Sequence, residues 1–327
     1  MKAIKILTMA ALATAVASCS NDEDLAQNNY PMDNVVRIMT RVDGMNTRAS
    51  YGNSTDKLSS FGFCINNAGN TKYTYDNIKV TKEDRNWIPA TQMLWQNSTA
   101  AVDILAYAPY QETIEDATGK VKIFGKTDYA FSVQADQSDA EDYSSDLIVY
   151  KKTGFKPESD LNTNQAVDVS FTHLLSQLNL IIELRDQFNT NNNTVTKGFV
   201  TDVKVNGTII SSKVDFSASP ISVQVDGTQT AAITPETTGF TPAENATAHA
   251  VFNYSAIVIP QTVAAGNFSI SFKVNNTEYI WTATDAVTFE SGKKHELHLL
   301  AGKDVVQGGA ISAIPWGDET ITEKETD

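Results

Sequence analysis

Segments that alternate apolar with polar residues recur along the whole of this 327-residue chain, and a period of two limits it to folds built from strands. Val36, Ile38, Thr40 and Val42 alternate with Arg37, Met39 and Arg41, and Leu178, Leu180, Ile182 and Leu184 repeat the pattern. Residues 61–65, 72–80, 101–108, 129–133, 147–150, 252–260, 268–274, 278–283, 287–290 and 295–300 are strand-like as well, rich in β-branched and aromatic side chains. Val167, Val169, Phe171 and His173 alternate just ahead of Leu178, so 167–184 reads as two strands or one bent strand. Turn-forming runs such as Asn275-Asn276 and Ser291-Gly292 separate these segments. Asn206-Gly207, between 199–205 and 208–210, reads as a type I′ hairpin turn. The chain is therefore expected to be all-β, and many short strands argue for sandwiches. A single core stops growing near ~250–300 residues, so two domains are expected.

The first strand carries a second signal. The chain has only five arginines, and three of them, Arg37, Arg41 and Arg48, lie within residues 35–49. The other two are Arg85 and Arg185. A strand at the start of a sheet, followed by Asp43-Gly44 and then Thr47-Arg48-Ala49, is one that an arginine-specific protease could detach.

The formal charge of −14 repels a nucleic-acid backbone, so no nucleic acid is expected as a partner. Lys2 and Lys5 precede an apolar, alanine-rich run over 6–17, and Val16-Ala17-Ser18-Cys19 follows. This resembles a secretory signal ending in a bacterial lipoprotein box. The resemblance implies cleavage before Cys19 and acylation of its thiol; an ordinary signal peptide cut nearby is the alternative. With Cys19 lipidated, Cys64 has no disulfide partner, and within Phe61-Gly62-Phe63-Cys64-Ile65 it reads as a small buried apolar residue. No later run approaches the ~18–20 uncharged apolar residues of a membrane span, so attachment would rest on acyl chains, of which two or more suffice. Ser20-Asn21-Asp22-Glu23-Asp24 resembles the acidic surface-export signal of lipoproteins in Gram-negative gut and oral anaerobes, and 20–34 reads as a linker.

Motifs for chemistry are scarce. The four histidines are His173, His249, His295 and His298; His295 and His298, three apart on a strand, project to opposite faces. The sequence contains no His-Glu-x-x-His, Cys-x-x-Cys, Gly-x-Ser-x-Gly, P-loop or dinucleotide fingerprint, so neither an enzyme nor a cofactor is expected, although a carboxylate dyad of the glycosidase kind stays open. The acidic run Asp136, Asp139, Glu141, Asp142 and Asp146 lacks EF-hand spacing and its glycine, and reads as a solvated loop. His173, between Phe171 and Leu174-Leu175, reads as a hydrogen-bonded core or rim histidine. Trp87 and Trp95 read as interior residues; with Trp281 they are also the candidates for a sugar-stacking surface.

Taken in order, the lipobox at Cys19, Asn46-Thr47-Arg48-Ala49, Ala106-Tyr107-Ala108-Pro109-Tyr110, Phe171-Thr172-His173-Leu174-Leu175-Ser176-Gln177-Leu178 and the closing Ile314-Pro315-Trp316 resemble the fimbrillins, subunits of the type V pili of Gram-negative anaerobes. The resemblance implies two tandem transthyretin-like β-sandwich domains. The expected organisation is a signal peptide at 1–18, an acylated tether at 19–34, an N-terminal sandwich at 35–165 and a C-terminal sandwich with its tail at 166–327. It also implies export to the outer membrane as a lipoprotein and trimming by an arginine-specific protease, by position after Arg48, before Ala49, with Arg41 the second choice. Trimming would remove the strand bearing Val36, Ile38 and Val42, and a strand from another fimbrial subunit would fill the groove. Ile311, Ile314 and Trp316 are the candidate donor strand, although Pro315 and the polar tail beyond it make this donor short. A stalk and a tip subunit both fit; a lipid-anchored glycan-binding surface protein is the alternative.

Overall fold

The structure, a computed structural model, describes residues 29–43, 55–112, 115–116, 119–120, 122–189, 195–309 and 311–316. Its strands in chain order begin with β1 (Arg37–Asp43), β2 (Ser60–Asn66), β3 (Tyr75–Glu83), β4 (Asn86–Pro89), β5 (Val102–Ala108), β6 (Glu115–Asp116), β7 (Gly119–Lys120), β8 (Tyr129–Ser132), β9 (Ile148–Phe155) and β10 (Ala166–His173). They continue with β11 (Ser176–Leu184), β12 (Val200–Ile209), β13 (Ser211–Asp215), β14 (Ser222–Val225), β15 (Thr230–Ile233), β16 (Glu236–Thr241) and β17 (Ala250–Val258). The last are β18 (Gln261–Val263), β19 (Ser269–Val274), β20 (Thr277–Thr282), β21 (Val287–Phe289), β22 (Lys293–Ala301), β23 (Val306–Gly308) and β24 (Ser312–Pro315). Helix is confined to single turns, so among the described residues none is long and apolar enough to cross a membrane.

The first sandwich is built on a seven-stranded sheet in the order β1-β10-β9-β5-β2-β3-β4. Its centre is covered on both faces, which is why β2 and β5 read as near-continuous apolar runs and not as alternating ones. Ile104, Ala106 and Ala108 of β5 face one core with Phe61, Phe63, Trp95 and Phe171. Leu105 and Tyr107 face the other way, where the three-stranded sheet β14-β13-β8 packs. There Tyr107, Tyr129 and Phe216 meet ring to ring at 5.1–5.7 Å, and the Tyr107 hydroxyl donates to Asn77 Oδ1 at 2.7 Å. Burial pushes both tyrosine pKa values up, so neither ring ionises in the physiological range.

The second sandwich stacks a six-stranded sheet, β16-β17-β11-β22-β23 with β24 also on β22, against the four strands β15-β12-β19-β20. Leu178, Leu180, Ile182 and Leu184 on one face of β11 fill its core with Phe252, Phe268, Ile270 and Phe272. Two side-chain amides, one buried and one half-buried, imitate strand pairing. Gln137 accepts the Ile257 N–H and donates to the Ile257 carbonyl, and Gln261 does the same for Ile209, all within 2.9 Å.

Three expectations need correction. The boundary between 165 and 166 is not a sheet boundary, because β10 pairs with β1 and β9 in the first sheet while β8 pairs with β13 from the second half. The chain crosses between the units at Leu174–Leu175, so 167–184 is two strands in different sheets. Asn206-Gly207 is not a hairpin either: β12 runs straight through it with a register shift between Val205 and Thr208. Gly207 adopts a φ of 92° there as a bulge, and a Cβ on it would fall 1.9 Å from the Asn267 carbonyl oxygen. The acidic loop is solvated only in part. Asp136, Asp139 and Asp142 each accept the N–H two residues on, whereas Asp146 is fully buried against His173.

Lys151 ties the two halves of the chain together. Its Nζ donates to the carbonyls of Phe216, Ser217 and Ala218 at 2.8–2.9 Å, and burial lowers its pKa. His295 is buried, and its Nε2 accepts the Glu290 N–H at 3.2 Å, which fixes the ring proton on Nδ1.

Two tests follow from this packing. Gly207→Ala should cost roughly 3 kcal/mol or more in chemical denaturation, because the backbone must move. Gly227→Ala, at a φ of 84° with open space around it, should cost only about 1–2 kcal/mol. Desolvation holds the His295 pKa below its ordinary 6.5. The unfolded chain therefore binds the extra proton, and this contribution is complete above 6.5 and lost as pH falls through the depressed value. Denaturation midpoints measured against pH should show a shallower acid loss in His295→Gln than in the parent.

Candidate functional site

β1 forms as the alternation requires. Val36 and Ile38 are buried at 2% and 6% exposure, while Arg37, Met39 and Arg41 face out. Val42 lies in register with Phe171. The entry of the strand is fixed by Val36 N–H donating to Met93 O at 3.0 Å and Trp95 N–H to Asn34 O at 2.8 Å. Arg37 pairs with Asp33 at 2.6 Å, and that guanidinium holds the Asp33 carboxyl below its usual range. Arg41 donates to Ser170 Oγ and stands 3.8 Å from Asp168.

The pairing is unusual in its direction and its economy. β1 runs parallel to β10 over seven residue pairs, from Arg37↔Ala166 to Asp43↔Thr172. On its far side β10 meets β9 only at Thr172↔Val149 and His173↔Ile148. Among the described residues, β1 is thus the sole ladder partner of 166–171. Among the described residues the other edge of β1 has no ladder partner and faces β4 across a groove of about 650 Å³, with Met39, Thr40, Lys82, Arg85, Trp87 and Ile88 in its walls. Among these residues both sheet ends are therefore open edges, which present unsatisfied backbone groups to an added strand.

The C-terminal segment lies on a second edge. β23 pairs antiparallel with Leu299–Ala301 and β24 with Lys293–Glu296 on the same flank of β22. Ile311 and Ile314 are half-buried, and Trp316 is buried with its ring stacked on His173 at 4.0 Å and 1°. The Trp316 N–H donates to Gly292 O at 3.3 Å. The candidate donor is therefore paired to its own chain.

Cys19, Arg48 and Ala49 lie outside the described residues. The three tryptophans do not form one platform: Trp95 is buried under Phe155, Trp87 abuts Phe61 at the groove, and Trp281 packs on Phe268 in the other sandwich. His298 and His249 both meet Glu183 on the outer face of β11, opposite in orientation to buried His295. Among the described residues no group of three His, Cys, Asp or Glu is arranged to hold a metal. Sequence reasoning missed β10 as the seat of the first strand and the Trp316–His173 stack. The alternation of Val167, Val169 and Phe171 held the first in view, while nothing local announced the second.

The model of a fimbrillin-like protein family matches residues 47–316 of the chain. No curated protein matches it. Among solved structures, a candidate cell adhesion protein from Bacteroides ovatus superposes with a TM-score of 0.61 at 13% identity, covering 88% of this chain and 99% of that one. A candidate cell adhesion protein from Bacteroides uniformis gives 0.55 at 18% identity over 88% and 99%. A fimbrial protein from Bacteroides vulgatus gives 0.52 at 14% identity over 86% and 99%. At these identities the likeness is one of fold. The family match, which spans most of the chain and both sandwiches, establishes that this protein belongs to the fimbrillin-like family.

Proposed function

We propose that the chain is a structural subunit of a cell-surface fimbria, exported as a lipoprotein acylated at Cys19 and assembled by strand exchange once its first strand has been cut away. The observation that carries this reading is the β1–β10 pair: an edge strand whose loss leaves 166–171 without a ladder partner and uncovers the seat of Val36 and Ile38. A strand from another subunit placed there gains both the apolar seat and the unpaired backbone, which is β-augmentation.

Magnitudes explain why cutting would act as the trigger. Burial of Val36 and Ile38 contributes about 1.5–3 kcal/mol each, against ~1–2 kcal/mol per residue for ordering the backbone, so the strand holds only modestly. While joined to the chain it faces its seat at an effective concentration on the order of millimolar, and a free competitor rarely displaces it. Severing the link between β1 and the rest removes that advantage.

Arg48 is the processing point in this reading, and the surroundings of Arg41 support the choice. Arg41 sits within a paired strand with its guanidinium on Ser170 and Asp168, and a protease needs an extended, unpaired backbone. Arg48 follows Asp43, the last residue of β1, by five positions in the sequence. In the native host Arg48→Ala should leave an acylated, full-length precursor that does not polymerise, whereas Arg41→Ala should be trimmed and assembled as the parent is. Mass spectrometry of the mature N-terminus should find Ala49. Normal polymerisation of an Arg41→Ala, Arg48→Ala double variant would refute the assignment.

A further inference from the structure

We infer that the seat of the first strand and the C-terminal strap are mechanically coupled through the His173–Trp316 stack, so that withdrawal of β1 loosens β24 from β22. The inference rests on the reading that β1 is withdrawn, and adds how that event is sensed at the other end of the molecule.

His173 is the last residue of β10, immediately after the stretch that β1 holds. Its backbone is one of the two rungs that join β10 to β9, and its Nδ1 meets Asp146 Oδ1 at 2.9 Å in a fully buried pair. The imidazole plane is therefore set by β10 and Asp146 together. Trp316, the residue directly after β24, rests flat on that plane. The turn between the two sandwiches is clamped around the same point. Ser291 Oγ donates to Leu174 O at 2.6 Å, Gly292 N–H donates to Leu175 O at 2.9 Å, and Gly292 O accepts the Trp316 N–H. A Cβ on Gly292 would stand 3.2 Å from His173 O, so the backbones touch without slack.

The consequence follows from where the ladder is thin. With β1 present, β10 is paired along its length. Without it, only Thr172 and His173 remain laddered, and the strand that orients the imidazole becomes free to shift. A stack at 4.0 Å and 1° tolerates little rotation before the ring contact is lost. β24 is four residues long, ends in a proline that donates no backbone hydrogen bond, and is exposed at every residue but Ile314. Losing its terminal anchor leaves it the weakest strand on the β22 edge.

Hydrogen exchange on the full chain tests this. A site-specific protease sequence is inserted between Asp43 and Thr55, the protein is cut, the N-terminal piece is dissociated in mild denaturant, and its loss is verified by intact mass. Exchange at Ser312–Ile314 should then rise about tenfold or more, with β12 and β19 unchanged. Unchanged exchange after β1 has left overturns the coupling. Linkage makes the effect reciprocal. In the uncut chain, Trp316→Ala should speed exchange in β1 and β10 several-fold, and Trp316→Phe, which keeps a ring on His173, should restore most of the protection. No change in β1 and β10 on Trp316→Ala overturns the coupling whether or not the strand can be withdrawn. A cut N-terminal piece that stays bound counts against withdrawal itself and leaves the Trp316→Ala measurement to decide the coupling.

Discussion

Parallel pairing between β1 and β10 is the contact on which the edge of the first sandwich rests, because among the described residues β10 has almost no other ladder partner. Over 166–171 its hydrogen-bonding groups on one side are met by a strand that is itself an edge. Buried backbone groups are seldom left unpaired, so a β10 without β1 must rearrange, recruit water or accept another chain. The apolar side of the same strand deepens the dependence. Val167, Val169 and Phe171 are fully buried in the core that Val36 and Ile38 close. The rest of that core does not depend on the β1 ladder. Phe61, Phe63, Ile104 and Phe155 are held by the β2, β5 and β9 ladders, which do not involve β1.

The second sandwich solves the same edge problem from within. β22 pairs in parallel with β11 on one flank, and the C-terminal strap covers the other. Covering an edge with one's own chain is a common defence against unwanted pairing. Here the cover is split, since β23 and β24 each hold only part of β22. A split cover gains fewer cooperative rungs than a continuous strand, which makes its terminal contact, Trp316 on His173, matter more than one ring would in a long ladder.

How far the sequence disclosed this depends on whether a feature is local. Alternation at Val36–Ile38 and at Leu178–Leu184 was enough to place strands and their buried faces, since a period of two is a property of each segment alone. The outward arginines of β1 were legible for the same reason. Burial of His173 could be read from its apolar neighbours, but its partners could not, because Asp146 and Trp316 are distant in sequence. The acidic run hid Asp146 among residues that are solvated, and only the fold separates them. Asn206-Gly207 misled because the turn preference of that pair competes with the demands of tertiary pairing. A glycine at φ 92° serves a bulge as well as a hairpin, and β12 needed the bulge to bring Thr208 and Ile209 into register with β15.

The domain boundary was the least legible feature, and the reason is physical. Sequence-based division assumes that each unit's strands are contiguous, yet β8 crosses to β13 and Lys151 is caged by three carbonyls of the later segment. Such crossings make the junction stiff. Force applied along β10 reaches His173, Leu174 and Leu175 directly at the crossover. The two sandwiches are joined there by backbone hydrogen bonds, a buried His–Asp pair and a stacked indole. A loose linker at that point would absorb force as extension, whereas a clamped crossover transmits it. The crossover at Leu174–Leu175 thus sets β10 and β24 on either side of one clamped junction.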